Sequence, residues 1–346
     1  MTFVFADPLS AAYTRIARLR RAWYARPGRS KRLPHPVISV GNLSMGGSGK
    51  TPVVAALARL LRQRGQRPVI LTRGYGRRDT REGVLVVSDG QRVLETVERS
   101  GDEPQLLART LPGVPVLVGA DRHVAGAFAA RHFAATVSIL DDGFQHVQLE
   151  RDVDLLLVSV GDLNDRVAPA GHLREPLDAA QLADAVLVTG SEEDVTAVAA
   201  AVKHPTIFRV KTTYDLGVIK RRAQHDTPDT EAPERLVAFA GIGRPERFFN
   251  ALRSLGYDVA RELTFPDHHW YTARDIAGIQ AAARDANTPL IVTTEKDAVR
   301  CDLECAVLPM RVEVEPAAEF EQWLMARLRL SDSDAVSAQL RSSEGG

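Results

Sequence analysis

The chain has 346 residues, of which 45% are hydrophobic and 25% charged, and its formal net charge is zero. This composition is typical of a soluble globular protein, and the length favours two domains over one. The two cysteines, Cys301 and Cys305, have no accompanying histidine ligands and support neither a zinc site nor a disulfide framework, so we expect a reduced, cytosolic compartment. No apolar run approaches the roughly 20 residues that span a bilayer. The N-terminal arginines follow the apolar residues, unlike those of a signal peptide.

Residues 1–36 carry most of the excess positive charge. They hold eight Lys or Arg and one acid, Asp7, which gives +7 and leaves −7 for residues 37–346. A helical stripe of apolar residues runs through this segment and consists of Leu9, Ala12, Tyr13, Ile16, Leu19 and Trp23. Arg15, Arg18 and Arg21 fall on the other side, and Arg20 falls near the stripe. Such a basic amphipathic helix is typical of a membrane-surface segment; the alternative is a helix packed on the domain.

The stretch VISVGNLSMGGSGKTP, residues 37–52, predicts a strand, a Gly-rich loop and the start of a helix. In a P-loop, backbone N–H groups cradle phosphates, a Lys reaches the β- and γ-phosphates, and a Thr hydroxyl holds Mg²⁺. The match is imperfect because Ser44 stands where the motif has Gly. The alternative is a Gly-rich turn that binds no ligand. The predicted phosphate-binding residues are Ser44, Met45, Gly46, Gly47, Ser48, Gly49, Lys50 and Thr51.

Further along the chain, polar motifs follow apolar strands, at the sheet edge where α/β proteins bind ligands. Arg73 lies in the basic loop RGYGR, where the alternative to anion contact is a solvated loop. Asp102, in GDEP, precedes a helix and by position alone is a helix cap. Arg122 opposes a helix dipole and therefore hints at an anion.

The motif DDGFQH follows another buried strand. Asp141 and Asp142 have the placement of a Walker-B ligand to Mg²⁺, and two adjacent acids at a sheet edge need a cation or hydrogen bonds to balance them. Arg174 and Glu175 lie in the turn-rich loop at residues 169–176.

The second half of the chain changes character. Residues 205–235 predict a linker or ribbon, and a second βα series begins at residue 236. A lone G-x-G there is weak evidence for nucleotide binding. FPDHHWY and TEKD follow, and the tail from residue 331 has the composition of a disordered segment.

Taken together, these motifs resemble one family. GNxxxGGxGKTP, RGYGR, GDEP, DDGFQH, REP, FPDHHxY and TEKDAV occur in that order, and between about residues 10 and 328 the chain resembles the tetraacyldisaccharide 4′-kinases, the lipid A 4′-kinases. The resemblance implies transfer of the γ-phosphoryl group of ATP, with Mg²⁺, to the 4′-hydroxyl of a tetraacylated glucosamine disaccharide 1-phosphate. It implies a peripheral enzyme at the cytoplasmic face of the inner membrane.

The resemblance also implies a fold and a division of the chain. The fold is α/β, with a P-loop NTPase-like α/β/α domain joined by a β-ribbon to a smaller α/β/α domain. The predicted divisions are the membrane-surface segment 1–36, the kinase domain 37–204, the ribbon 205–235, the second domain 236–330 and the tail 331–346.

Roles for single residues follow from the same resemblance. Asp102 matches a catalytic base, His268 the histidine that pairs with it, and Lys50 the P-loop lysine. The expected metal ligands are Thr51, Asp141, Asp142 and Glu175, and the expected substrate contacts are Arg73, Arg122, Gln145, His146 and Arg174.

Two other classes of function remain open at this stage. A P-loop ATPase or ligase acting on a soluble small molecule, such as a biotin-pathway ligase, would not need the basic amphipathic N-terminus. A nucleotide-switch assembly protein would need an N-K-x-D-type guanine signature, which TEKD at residues 294–297 does not supply. We expect no nucleic-acid partner, because the basic excess is confined to the N-terminal segment.

Overall fold

The computed structural model describes residues 8–46, 49–78, 83–215 and 234–329. Within these ranges the strands form a nine-stranded and a four-stranded sheet. The strands are β1 (Val37–Asn42), β2 (Pro68–Thr72), β3 (Leu85–Asp89), β4 (Pro115–Val118), β5 (Val137–Asp141), β6 (Val153–Val158), β7 (Ala185–Thr189), β8 (Ile207–Tyr214), β9 (Arg235–Ala240), β10 (Asp258–Thr264), β11 (Ile291–Thr294), β12 (Ala306–Leu308) and β13 (Met310–Glu315).

Helices cover the faces of the sheets. They are α1 (Pro8–Tyr24), α2 (Lys50–Gln63), α3 (Val97–Ser100), α4 (Asp102–Thr110), α5 (Arg122–His132), α6 (Val160–Leu163), α7 (Glu192–Val202), α8 (Pro245–Ser254), α9 (Ala273–Asp285), α10 (Glu295–Ala298) and α11 (Ala317–Leu328), with a 3₁₀ helix at Leu177–Leu182. No helix of the described part is long and apolar enough to cross a membrane.

The larger sheet has the order β13-β8-β7-β6-β1-β5-β2-β4-β3. Only its two edge strands, β13 and β3, run antiparallel to their described neighbours. Every residue of β1, β2, β5 and β6 is buried, which explains why these strands read as continuous apolar runs in the sequence. In this order β2 to β5 lie on one side of β1, and β6 to β8 lie on the other. The strand order therefore reverses at β1, and a ligand crevice is expected at the carboxyl end of this strand.

The smaller sheet has the order β10-β9-β11-β12 and is parallel throughout the described residues. Apolar clusters lie on its faces, with Phe239 and Val292 fully buried. This sheet and its helices form the second domain, which we define as residues 234–308.

The predicted domain division needs two corrections. Within the predicted ribbon, β8 pairs with β7 and extends the large sheet, because Phe208 and Val210 alternate into its core. Residues 216–233 lie outside the described residues. The end of the predicted second domain also belongs to the large sheet, since β13 pairs with β8 and α11 buries Phe320 and Leu324 in the same core. The predicted tail lies outside the described residues.

Candidate active site

The loop after β1 and the first turn of α2 form the predicted phosphate site. Lys50 begins α2 directly after Gly49, whose φ is 82°, and Gly46 has a φ of 102°. Residues with a side chain rarely adopt these angles, so glycine allows the turn that points the N–H groups of α2 into the loop. Thr51 is half-buried in the first turn of α2. Gly47 and Ser48 lie outside the described residues.

A second loop, residues 166–176, is joined to this phosphate loop by backbone hydrogen bonds. The N–H of Met45 donates to the carbonyl of His172 at 2.7 Å, and the N–H of Arg174 donates to the carbonyl of Leu43 at 2.6 Å. Ser44 is buried between these contacts, whereas the Met45 side chain is exposed. The loop that carries Arg174 and Glu175 is therefore held against the phosphate loop.

The Lys50 ammonium lies at the centre of the site. Its Nζ donates to Oδ1 of Asn42 at 2.8 Å and lies 3.3 Å from Oδ1 of Asp142. Asn42 is fixed in turn, because its Nδ2 donates to the carbonyl of Ser44 at 2.6 Å. Asn42 was missing from the predicted site residues, although it is the Asn of the GNxxxGGxGKTP motif. Lys50 thus lies within reach of a phosphate held at the N-terminus of α2.

Asp141 is the last residue of β5, and its register partner in β1 is Val40, just before the phosphate loop. The side chain is buried, and its Oδ1 has no hydrogen-bond partner. Burial, together with the nearby charge of Glu103, raises the pKa of this carboxyl to about 7. A buried carboxylate is unfavourable unless a cation or a donor satisfies it. The fold therefore leaves Asp141 open to a cation at this edge of the sheet.

Asp142 has a left-handed backbone, with a φ of 55°. Its carboxylate accepts from Nη1 of Arg174 at 2.8 Å for both oxygens, and Arg174 also reaches Oε1 of Gln145 at 3.4 Å. Burial works against the charge of Asp142, but Lys50 and Arg174 outweigh it and hold its pKa below the usual range. Asp142 is therefore an ionised neighbour of Asp141, and Arg174 and Gln145 lie in the same cleft.

Arg122 and His146 are buried or half-buried basic groups of this cleft. The Arg122 side chain is buried, its Nε has no hydrogen-bond partner, and its Nη1 donates to the carbonyl of Ala120 at 3.2 Å. Burial and the charge of Arg73 lower the pKa of Arg122 to about 10. Burial and the charge of Arg122 lower the pKa of His146 to about 4. His146 is therefore uncharged at neutral pH, and the positive charge here belongs to Arg122, whose unused donor suits an anion.

Glu175 lies against α1. Both of its oxygens pair with Arg21 of α1, with Nε to Oε2 at 2.6 Å and Nη2 to Oε1 at 2.7 Å. Oε1 also accepts from Nε2 of Gln145 at 3.2 Å. In the ranges that the structure covers, no group of three or more His, Cys, Asp or Glu could hold a metal ion. Glu175 thus anchors α1, a partner the sequence did not indicate because Arg21 lies 154 positions away, and its role at a metal stays a prediction.

The predicted pair Asp102 and His268 meets across the two domains. Asp102 is the first residue of α4 and is 3% exposed, and His268 lies in the loop after β10. Nδ1 of His268 lies 2.8 Å from Oδ2 of Asp102, and Oδ1 of Asp102 accepts from the N–H of Glu103 at 3.0 Å. Burial favours the protonated carboxyl, but the His268 hydrogen bond and nearby cations outweigh it and hold the pKa of Asp102 below its usual range. Asp102 is thus an ionised, oriented carboxylate rather than a simple helix cap.

Close backbone packing brings the RGYGR loop against the pair of Asp102 and His268. A Cβ on Gly101 would lie 2.7 Å from the carbonyl oxygen of Tyr75, so the GDEP turn requires glycine there. The Tyr75 ring lies 5.6 Å from the His268 ring. Arg73 is exposed on the same loop, within electrostatic range of Arg122.

Two further cations of the second domain reach Asp102. Nη1 of Arg300 lies 3.3 Å from Oδ2 of Asp102, and Nζ of Lys296 lies 3.8 Å from the same oxygen. Neither residue was among the predicted site residues. TEKD was noticed as a motif, but its distance from Asp102 depends on how the domains meet, which spacing does not reveal.

This arrangement has the parts that phosphoryl transfer requires. The N-terminus of α2 and Lys50 can hold phosphates, and the carboxylates of Asp141 and Asp142 can bind a cation. Asp102, paired with His268, can accept a proton from a hydroxyl. Arg122 with Arg73 offers a second anion contact. The chemistry that fits is transfer from a nucleotide to a hydroxyl of an anionic acceptor.

Comparisons with known proteins agree with this chemistry. The family model described as "LpxK: Tetraacyldisaccharide-1-P 4'-kinase" matches residues 3–329. The tetraacyldisaccharide 4′-kinase of Desulfotalea psychrophila is 41% identical, over 89% of this chain and 90% of its own. That of Geobacter metallireducens is 43% identical, over 84% of this chain and 86% of its own.

One solved structure is also similar over nearly the whole chain. It is LpxK from Aquifex aeolicus in complex with ATP, with a TM-score of 0.75 and 33% identity, covering 93% of this chain and 98% of that one. This likeness confirms the predicted P-loop α/β fold. With a family model that spans nearly all of its length, the chain belongs to the tetraacyldisaccharide-1-P 4′-kinase family.

Proposed function

We propose that this chain transfers the γ-phosphoryl group of ATP to the 4′-hydroxyl of a tetraacylated glucosamine disaccharide 1-phosphate, a step of lipid A biosynthesis. The family match, the named activity of the relatives and the ATP complex of the Aquifex aeolicus protein support this function. The observation that carries the proposal for this chain is the 2.8 Å contact between Asp102 and His268, residues 166 positions apart.

Asp102 is the proposed base. Its carboxylate orients the 4′-hydroxyl and accepts the proton as the oxygen attacks the γ-phosphorus, and His268 stabilises the carboxylate and takes part in holding that proton. A base must lie within hydrogen-bond reach of the hydroxyl, and burial at 3% exposure keeps water from competing for Asp102. Because His268 comes from the second domain, the unit is complete only when the domains meet.

The nucleotide binds at the N-terminus of α2. The described backbone on either side of Gly47 and Ser48, from Ser44 to Gly46 and from Gly49 to Thr51, offers N–H groups to the phosphates, and Lys50 contacts the β- and γ-phosphates. In this role Lys50 exchanges its contact with Asn42, at 2.8 Å, for phosphate oxygens.

One observation supports a Mg²⁺ site here: Oδ1 of Asp141 is buried and has no hydrogen-bond partner. Thr51, Asp141 and Asp142 would hold the ion, which neutralises charge on the phosphates and aligns them for transfer. One or two carboxylates with phosphates and water suffice for Mg²⁺. Glu175, which pairs with Arg21, is not needed as a ligand.

The acceptor lies opposite the nucleotide, against the cations Arg122 and Arg73. Arg122, with a buried Nε that has no partner, and Arg73 bind the anionic acceptor. Arg174, Gln145 and His146 line the same cleft and orient the sugar.

Helix α1 places the enzyme on the cytoplasmic surface of the inner membrane. Two of its arginines pair with the domain, Arg21 with Glu175 and Arg18 with Asp178. Its apolar side faces outward, and Leu9, Ile16 and Leu19 are 66%, 64% and 61% exposed. This is the reverse of a helix packed through its apolar stripe, and it suits an acylated substrate embedded in a bilayer.

Product analysis tests the proposal. We expect phosphate from γ-labelled ATP on the acylated disaccharide 1-phosphate, with a second monophosphate ester at the 4′ position in a ³¹P NMR spectrum. Lys50→Met should abolish transfer without changing the melting temperature. Label found only in inorganic phosphate, or on a soluble small molecule from an extract, would refute the proposed acceptor.

A further inference from the structure

The Asp102 carboxylate receives three groups from the second domain. His268 lies at 2.8 Å, Arg300 at 3.3 Å and Lys296 at 3.8 Å, all measured to Oδ2. The proposed reaction assigns a role to His268 only. The side chains of Arg300 and Asp102 are 1% and 3% exposed, so these charges interact with little solvent screening.

Arg300 is held rigidly. Its Nη2 donates to the carbonyl of Gly241 at 3.0 Å and to Oδ1 of Asp297 at 2.7 Å. Asp297 is fully buried and also accepts from the hydroxyl of Tyr271 at 3.0 Å. The other terminal nitrogen, Nη1, points at Asp102 but makes no hydrogen bond. A guanidinium oriented in this way acts on Asp102 through its charge.

Lys296 lies between the two domains. Its Nζ is 3.3 Å from Glu103 and 3.8 Å from both Asp102 and Asp267. Burial alone would lower the pKa of Lys296, but these three carboxylates outweigh it and raise the pKa. Lys296 is therefore a permanent cation that links α4 of the first domain to α10 of the second.

The geometry points to Lys296 and Arg300 as positioning residues for phosphoryl transfer, which hold the Asp102 carboxylate ionised and oriented while it accepts the hydroxyl proton. This inference rests on the proposed function, in which Asp102 is the base. The two cations act through Asp102 and need not touch the substrate.

The charges around Asp102 determine how the loss of one cation changes the pH dependence of the reaction. His268, Lys296 and Arg300 favour its ionised form, whereas Glu103 and Asp267 share Lys296, and Asp297 shares Arg300. The hydrogen bond from His268 and the charges of Lys296 and Arg300 outweigh burial and hold the pKa of Asp102 below its usual range. Loss of one cation raises that pKa, because an opposite charge within about 4–6 Å typically lowers a carboxyl pKa by about 1–3 units. The acid limb of the rate profile must then move to higher pH.

The experiment compares the pH dependence of kcat/KM for the wild type, Lys296→Met and Lys296→Arg. We expect Lys296→Met to move the acidic inflection of the kcat/KM profile up by about 1 pH unit. At pH values below this inflection its kcat/KM should be about tenfold lower than that of the wild type, and the loss should be smaller at neutral pH. Lys296→Arg keeps the charge and should restore the wild-type limb. The substrate phosphate titrates near pH 6 in every variant alike, so differences between variants report on the protein.

Matched variants separate this role from a structural one. Lys211→Met removes a lysine that pairs with Glu315 on the large sheet, and it should leave the profile unchanged. Arg300→Lys retains a cation beside Asp297 and should shift the limb less than Lys296→Met does. If Lys296→Met fails to fold, Lys296→Gln serves instead.

An equal loss of activity at every pH in Lys296→Met would overturn the inference. The proposed function fails separately, if the wild type leaves the label of ATP only in inorganic phosphate and none on the acylated disaccharide. An inactive Asp102→Asn together with an unshifted profile in Lys296→Met would refute the inference alone.

Discussion

The ion pair between Arg21 and Glu175 predicts that one inward-facing arginine of α1 matters far more to stability than its neighbour. The two side chains are 15% and 6% exposed and form a bidentate pair at 2.6 and 2.7 Å. Arg21 also donates to the carbonyl of Phe144 at 2.9 Å and lies over its ring at 4.2 Å. Arg18, three residues earlier, pairs with Asp178 where both side chains are more than 60% exposed.

The substitution Arg21→Met leaves Glu175 buried without its cation. Breaking a buried pair on one side costs about 3–5 kcal/mol of unfolding free energy, whereas an exposed pair contributes about 0–1 kcal/mol. We expect Arg21→Met to lose about 3 kcal/mol and Arg18→Met less than 1 kcal/mol. With a denaturant slope of about 3 kcal/mol per M for a chain of this size, the urea midpoint should fall by about 1 M for Arg21→Met.

Urea unfolding of the two variants provides the assay, and a double variant provides the control. Arg21→Met with Glu175→Leu removes both charges and should be more stable than Arg21→Met alone, because no buried charge remains unpaired. Equal midpoints for Arg21→Met and Arg18→Met would refute this explanation of how α1 is anchored.

Three further predictions concern the metal, the membrane and pH. Asp141→Asn and Asp142→Asn each remove a charge at the proposed Mg²⁺ site. At least one of them should lower kcat by orders of magnitude and raise the Mg²⁺ concentration that activity requires. If the Mg²⁺ dependence is unchanged in both, these acids are structural. Ile16→Ser with Leu19→Ser should reduce sedimentation with anionic vesicles while leaving the melting temperature unchanged, since both side chains face outward; equal binding would remove α1 from the membrane contact. His146 has a pKa lowered to about 4, so the native state resists a proton that the unfolded state accepts near pH 6.5, and stability falls as the pH drops through this window. His146→Gln should therefore lose less stability between pH 7 and pH 5 than the wild type, as measured by urea midpoints, and an equal loss would show that His146 titrates normally.

The parts of the structure that local pattern controls could be predicted from the sequence. The strand, Gly-rich loop and helix at residues 37–63 were recognisable because apolar runs and positive-φ glycines leave a local signal. The same holds for β5 and the two acids at its end. A buried strand that ends in two carboxylates is unusual except at the edge of a sheet where a ligand binds.

Contacts between distant segments could not be predicted in this way. Lys296 and Arg300 reach Asp102 only because β11 and α10 place them at the domain boundary. Glu175 was expected at a metal because nothing in its loop reveals that Arg21 lies beside it. Such pairings depend on packing, which spacing along the chain does not encode.

The domain boundary and α1 show two further limits. The segment from Met310 to Leu328 follows the second domain in sequence but returns to the first sheet, because its apolar residues fit the large core. For α1 the sequence favoured a membrane-surface helix but left open a helix packed on the domain through its apolar stripe. The stripe faces outward because the arginines find carboxylate partners on the domain surface.

A mutant cycle on Asp102 and His268 tests the central claim that one catalytic unit is built from both domains. His268 has a φ of 59°, so His268→Asn is the suitable replacement, since Asn tolerates this conformation better than Ala. The measured quantity is kcat/KM with ATP and the acylated disaccharide for the wild type, Asp102→Asn, His268→Asn and the double variant, with His269→Asn as the control for disturbance of the loop. We expect Asp102→Asn to lose the most activity and the double variant to be little worse, because His268 has nothing to assist once the carboxylate is gone. Fully additive losses would contradict the account and return Asp102 to the role of a helix cap.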